Sequence, residues 1–220
     1  MTQQEYFGDW YPYLNMRALN TALQYSCKGP FYPIPQNVFR AFTLCSARDT
    51  TVVFLGQDPY PQKDVATGIA FANDASTPEE RLSPSLQVLK EAAIDYTKPH
   101  RPIEFDNTLE SWGKQGVLLL NSALTVKPGT PGSHALYWRE FISSFLLKFS
   151  SLNPSVLFVL FGKQAQGFKS SIKAANIIEA EHPASLARTK SKLPQDLFPT
   201  ISRYVFGLTG EKIQWFNELD

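Results

Sequence analysis

Four short runs of apolar residues restrict most strongly what this chain can become: 51-TVVFLG-56, 117-VLLLN-121, 155-SVLFVLFG-162 and 177-IIEAE-181. Within each, apolar side chains follow one another instead of alternating with polar ones. A strand of that composition is covered on both faces, as in parallel sheets, whose crossover connections lay helices over each side. The intervening segments supply those helices. In 133-SHALYWREFISSFLLKFS-150, Ser133 is placed to cap a helix whose Trp138, Phe141, Ile142, Phe145, Leu146 and Phe149 share one stripe. A second helix is expected from Ser85 to Tyr96, and a third over much of 193–206, broken or begun at Pro199. Strands alternating with helices predict an α/β fold, a three-layer α/β/α sandwich around a central four-stranded, mainly parallel sheet. The chain has 220 residues, no internal repeat and no low-complexity linker, so residues 1–220 are read as a single domain.

Composition narrows the class. A content of 43% hydrophobic and 13% aromatic residues supplies enough apolar area to offset the entropy of ordering the chain. No apolar run is long enough to span a bilayer, and no charged and apolar leader opens the sequence. The expectation is a soluble, cytoplasmic monomer with no membrane partner. The two cysteines, Cys27 and Cys45, are far apart and fit no ligand spacing, so they read as reduced core thiols. Neither a metal nor another cofactor is expected.

A net charge of +1 does not by itself signal a nucleic-acid partner. Two stretches are nevertheless basic and free of acids: 162-GKQAQGFKSSIKAA-175 and 182-HPASLARTKSK-192. In open parallel sheets the ligand crevice lies beyond the carboxyl ends of the strands. Gln57, Asp58 and Tyr60 follow the first strand, Asn121 ends the second, Gly162 and Lys163 follow the third, and His182 and Pro183 follow the fourth. Both basic stretches fall at that same edge, where they read as a face that follows phosphates.

Each of these residues has an ordinary explanation when taken alone: a turn for Asp58 and His182, a cap for Asn121, core for Phe71 in 68-GIAFAN-73. Together they describe a pocket. Asn121 offers a donor and an acceptor to the edge of a heterocycle, Phe71 a stacking face and Tyr60 a wall. Asp58 is a carboxylate able to orient water and stabilise a cationic sugar, and His182 is a donor for an oxygen gaining negative charge. Such a set suits cleavage of a base from its sugar after the nucleotide is turned out of the duplex. Pro59 restricts the backbone between the carboxylate and the Tyr60 ring.

The segments 56-GQDPY-60, 68-GIAFAN-73, 83-SPS-85, 118-LLLNSALTV-126, 133-SHALYW-138, 161-FGKQAQ-166 and 182-HPASLA-187 carry a family resemblance. In this order they resemble the uracil-DNA glycosylases of family 1, the uracil-N-glycosylase type, from about residue 50 onward. That resemblance implies a DNA-repair hydrolase acting on uracil in single- or double-stranded DNA, with a proteinaceous inhibitor as a candidate partner. It implies Asp58 and His182 as catalytic residues, and Gln57, Tyr60, Phe71 and Asn121 as the uracil-binding set. Ser83, Ser85, Gly162, Lys163, Ser185 and Arg188 would contact DNA, and Leu186 would be the residue pushed into the duplex. The chain departs from the family at Pro61 and Gln62, where His-Gly is common, at Ala184, where serine is usual, and in a shorter segment after Leu186. Two rival readings are a DNA-binding or replication scaffold on the same fold and a glycosylase for a different modified base.

Overall fold

The computed structural model describes residues 2–174 and 176–219. Its strands are β1 Val52–Gly56, β2 Ile103–Glu104, β3 Val117–Asn121, β4 Leu157–Phe161, β5 Ile177–Ala180 and β6 Asn217–Glu218. The central sheet has the order β3-β1-β4-β5, and every pairing in it is parallel. All four expected strands are present. The short antiparallel pair of β2 and β6 was not expected, because two-residue strands are too brief to show a pattern.

The α-helices are α1 Gln3–Phe7, α2 Met16–Ser26, α3 Arg40–Leu44, α4 Pro84–Thr97, α5 Glu110–Lys114, α6 Ala135–Leu152, α7 Gly162–Gln166, α8 Pro183–Thr189 and α9 Leu197–Thr209. They cover both faces of the sheet. Successive β1 side chains divide between two cores, Val53 and Leu55 packing with α2 and α6, Val52 and Phe54 with α4, α5, α8 and α9. This two-sided burial is why β1, β3 and β4 run almost wholly apolar, whereas β5, at the edge of the sheet, carries exposed Glu179 and is only partly buried. The N-terminal aromatic segment belongs to the first core. Trp10 is 1% exposed, packs against Phe42, Phe145 and Phe149, and donates its indole N–H to the Cys45 carbonyl at 2.9 Å.

Three local expectations need correction. Helix α6 begins after His134 and not at Ser133, whose hydroxyl accepts the Lys127 amide at 2.8 Å and closes the preceding loop. Helix α9 begins at Leu197, so Pro199 lies in its first turn, where a missing N–H leaves no helical bond unmade. Cys27 is exposed and not in the core. Cys45 is half-buried beside Thr50, and burial pushes its thiol up to about 11, which keeps it protonated and unreactive. No helix among the described residues is long and apolar enough to cross a membrane.

Candidate active site

The carboxyl ends of the sheet strands deliver polar residues to one recess. Asp58, Pro59 and Tyr60 come from the turn after β1, Asn121 from the end of β3 and His182 from the residue before α8. Thr67 to Ile69 and Phe71 close the remaining side. The recess measures about 20 Å³, room for about one water. It shares Asp58, Tyr60, Ser85 and His182 with a groove of about 1070 Å³ that runs past Gln57, Lys163, Ser185 and Arg188. Asp58 and His182 therefore face the same space.

Close packing sets this geometry. Gly56 lies opposite Asn121 in the parallel register. A Cβ at Gly56 would come within 2.6 Å of Asn121 Oδ1 and 3.0 Å of Phe71 Cζ, so a bare backbone there lets the amide and the ring approach each other. Gly162, at φ +81°, does the same for His182: a Cβ would sit 2.8 Å from the histidine Cβ. Phe71 itself has φ +68°, an uncommon conformation for a bulky residue. It is held there from several sides. The Ala70 amide bonds the Leu119 carbonyl at 3.1 Å, and the Phe71 carbonyl accepts the Tyr60 hydroxyl at 2.9 Å. The Phe71 ring meets Phe161 edge-on at 5.2 Å and the His182 ring at 5.8 Å. Local strain held by surrounding contacts is a recurrent property of functional sites.

The ionisable groups are tuned in opposite senses. Burial raises the Asp58 pKa, and the Gly132 amide, which bonds its Oδ2, opposes part of that rise. Burial lowers the His182 pKa, and nearby Arg188 lowers it further. The Ala184 amide donates to His182 Nδ1 at 3.2 Å, so that nitrogen carries no proton and Nε2 is the N–H donor of the neutral ring. Tyr60 is half-buried as a residue, but its phenol oxygen lies deep. Burial pushes it up to about 12, partly offset by hydrogen bonding with Ser83 and Ser85. At neutral pH the site therefore holds one carboxylate, one neutral imidazole and one neutral phenol.

Several sequence expectations come out differently. Leu186, expected at the duplex, is 4% exposed and packs in the core between α8 and α4. Ser83 and Ser85 are 7% and 2% exposed. Their hydroxyls bond the Tyr60 phenol, Ser83 also accepts from Asn73 at 2.9 Å, and both residues line the groove. The Gln57 carbonyl is taken by the Ser122 hydroxyl at 2.8 Å and the Ala123 amide at 2.9 Å. In the basic stretches, Lys169 pairs with Glu179 and Lys192 with Asp95, which removes both from an open cationic face. Lys163 and Arg188 do line the groove, and so does Arg81, which sequence reasoning passed over because Glu79 and Glu80 precede it. Gly132 was also missed. Its amide reaches Asp58 across 74 positions of sequence, and no local signal marks such a contact.

A family model described as the uracil DNA glycosylase superfamily matches residues 42–205. The chain is 36% identical over 190 residues to a uracil-DNA glycosylase of Buchnera aphidicola, covering 84% of each chain. It is 34% identical over 224 residues to a uracil-DNA glycosylase of Chlamydia abortus, covering 97% of this chain and 93% of that one. The fold is similar to the crystal structure of mimivirus uracil-DNA glycosylase, with a TM-score of 0.73 and 20% identity over 98% of this chain and 93% of the other.

Proposed function

The chain belongs to the uracil-DNA glycosylase superfamily, and from that premise we propose that it hydrolyses the N-glycosidic bond of deoxyuridine in DNA, using the recess at the strand ends. The observation that carries this reading is the placement of Asp58 and His182 on one small recess, together with Asn121 and Phe71. Release of uracil divides charge. The sugar becomes cationic at C1′, and the departing base becomes anionic across N1 and O2. Asp58 faces the sugar, stabilises the cation and orients the water whose oxygen bonds C1′, taking up a water proton as that bond forms. His182 directs Nε2–H at uracil O2, so the base departs as an anion stabilised by a dipole fixed in advance. Asn121 reads N3 and O4, Phe71 stacks on the ring and the backbone at Gln57 borders it. Lys163, Ser185, Arg188 and Gly162 line the groove through which the DNA backbone runs. The recess must widen as the base enters, because its unliganded volume holds about one water. The products are free uracil and an abasic site. The reading takes residues 1–220 as a single domain acting as a cytoplasmic monomer.

The deciding experiment is a release assay on single- and double-stranded oligonucleotides carrying one uracil, with EDTA present. Free uracil should appear at an undiminished rate, since side chains bear both developing charges. Intact glycosidic bonds on both substrates would favour the scaffold reading, and release of another modified base without uracil would favour the other rival.

Tyr60 sets the base selectivity. On this reading its ring blocks the side where thymine would place a 5-methyl group; the ring lines the recess and its hydroxyl is anchored on Phe71. Tyr60→Ala should release thymine at a measurable rate from a thymine-containing strand, while uracil release falls because Phe71 loses its anchor. Complete exclusion of thymine by this variant, read by chromatography of the free bases, would place the steric filter on another residue.

A further inference from the structure

Single-stranded nucleic acid is held by stacking of its bases on aromatic rings and by cations along its phosphates, and both need groups open to solvent. One place outside the recess offers both. Helix α2 packs on α6, and there the Tyr25 and Tyr137 rings stack with centroids 5.8 Å and planes 22° apart. The two residues are 48% and 41% exposed, so this pair is no part of the core. Lys28 Nζ stands over the Tyr25 ring, 4.8 Å from its centre. A second exposed ammonium, Lys127, lies close to His134, whose ring is 5.6 Å from that of Tyr137; burial first and Lys127 second lower the His134 pKa. Neither lysine pairs with a carboxylate among the described residues.

Position identifies the occupant. Pro131 lines the groove beside the recess, the Gly132 amide bonds Asp58, and the chain then enters α6, whose first turn carries Tyr137. At most about 18 Å of chain separates Gly132 from Tyr137. At a rise of about 3.4 Å per stacked nucleotide, a strand leaving the recess reaches the tyrosines within about five nucleotides. We propose that Tyr25 and Tyr137 form a stacking platform for unpaired bases flanking the uracil, with Lys28 and Lys127 neutralising the phosphates of that strand. The inference rests on the glycosylase reading and gives it a substrate class, DNA with a single-stranded stretch beside the uracil. Lys28 does not close the platform. An exposed cation–π contact is weaker than base–aromatic stacking, so a base displaces the ammonium, which is then free to meet a phosphate. Glu140, the one acid of α6, lies a turn further along the helix, away from the groove. Bases paired in a duplex keep their own stack and gain nothing from these rings.

The test is uracil release by the full-length protein from short single strands, with the uracil near the centre, and from strands lengthened on the 5′ or the 3′ side. Lengthening on one side should raise kcat/KM about tenfold through KM, the effect of gaining one stacked base. Replacing the bases of that extension by abasic residues, which keeps the phosphates, should remove most of the gain. The double variant Tyr25→Ala, Tyr137→Ala should lose the gain while releasing uracil from the short strand at the wild-type rate. Tyr25→Phe with Tyr137→Phe keeps both rings and should keep the gain. Lys28→Ala should lower the salt dependence of binding by about 0.7 in the log–log slope, one phosphate contact on a single strand. No gain with length in the wild type, a gain that survives the double alanine variant, or equal losses on short and long strands would each overturn the proposal. The same strands with thymine for uracil, followed by fluorescence anisotropy, separate it from the glycosylase reading. A length gain in affinity that the double alanine variant loses supports the platform even where no uracil is released, and that absence of release would overturn only the glycosylase reading.

Discussion

Asp58→Asn should abolish most uracil release, by about three orders of magnitude in single-turnover rate, and leave binding of uracil-containing DNA nearly intact. The substitution keeps the shape of the side chain and an oxygen able to accept the Gly132 amide, but removes the negative charge that the proposed reaction sets against C1′. Fold stability gives a second readout. Burial holds the Asp58 carboxyl above the usual carboxylate range, so the folded protein binds its proton more tightly than the unfolded chain does. The stability linked to that proton is complete below the unfolded value of about 3.9. It is lost as pH rises through the raised folded value. At neutral pH the ionised carboxylate therefore costs stability, and Asp58→Asn should melt no lower than wild type. A fall in thermal midpoint that tracks the loss of activity would show Asp58 to be a structural residue. The same pKa direction governs catalysis with the opposite sign. Wild-type rate should fall as pH drops through the raised Asp58 value, and that acid limb should be missing from the Asn variant's residual rate.

His182→Ala should slow release by a factor of about 10² to 10³, the usual effect of removing one fixed donor from a developing anion. The pH profile separates a neutral donor from a proton donor. Burial first, and Arg188 second, hold the imidazole below its ordinary value of 6.5, and the Ala184 amide occupies Nδ1. The neutral ring is therefore the form present at working pH, and the wild-type rate should cross the region around 6.5 and above without a decline. A decline there that disappears in His182→Ala would mean that the imidazolium donates a proton, contrary to the assignment. Linkage runs in the reverse sense to Asp58. The stability associated with the buried neutral ring is present above the unfolded histidine value and lost as pH falls through the depressed one. Replacing His182 by alanine should thus weaken the acid sensitivity of folding.

Much of this site was readable before any coordinates. Continuous apolar strands imply a covered parallel sheet, and such a sheet puts its crevice at the carboxyl ends of its strands, so the positions of Asp58, Asn121 and His182 follow from period and order alone. What period cannot express is the direction of a side chain whose neighbours are distant in sequence. Leu186, Ser83 and Ser85 stand in segments that resemble DNA-contacting loops, yet all three are buried, Leu186 where α4 packs on α8 and the two serines beside the Tyr60 phenol at the groove. Lys169 and Lys192 looked free in acid-poor stretches until Glu179 and Asp95 arrived from other elements. The Gly132 amide on Asp58 and the space left by Gly56 for Asn121 are of the same kind. Local chemistry was enough to choose the fold and to nominate Asp58 and His182. Which residues of α8 are buried, and which lysines of the basic stretches are ion-paired, came from packing between segments up to a hundred residues apart, where burial and ion pairing are settled by three-dimensional neighbours and not by adjacent residues.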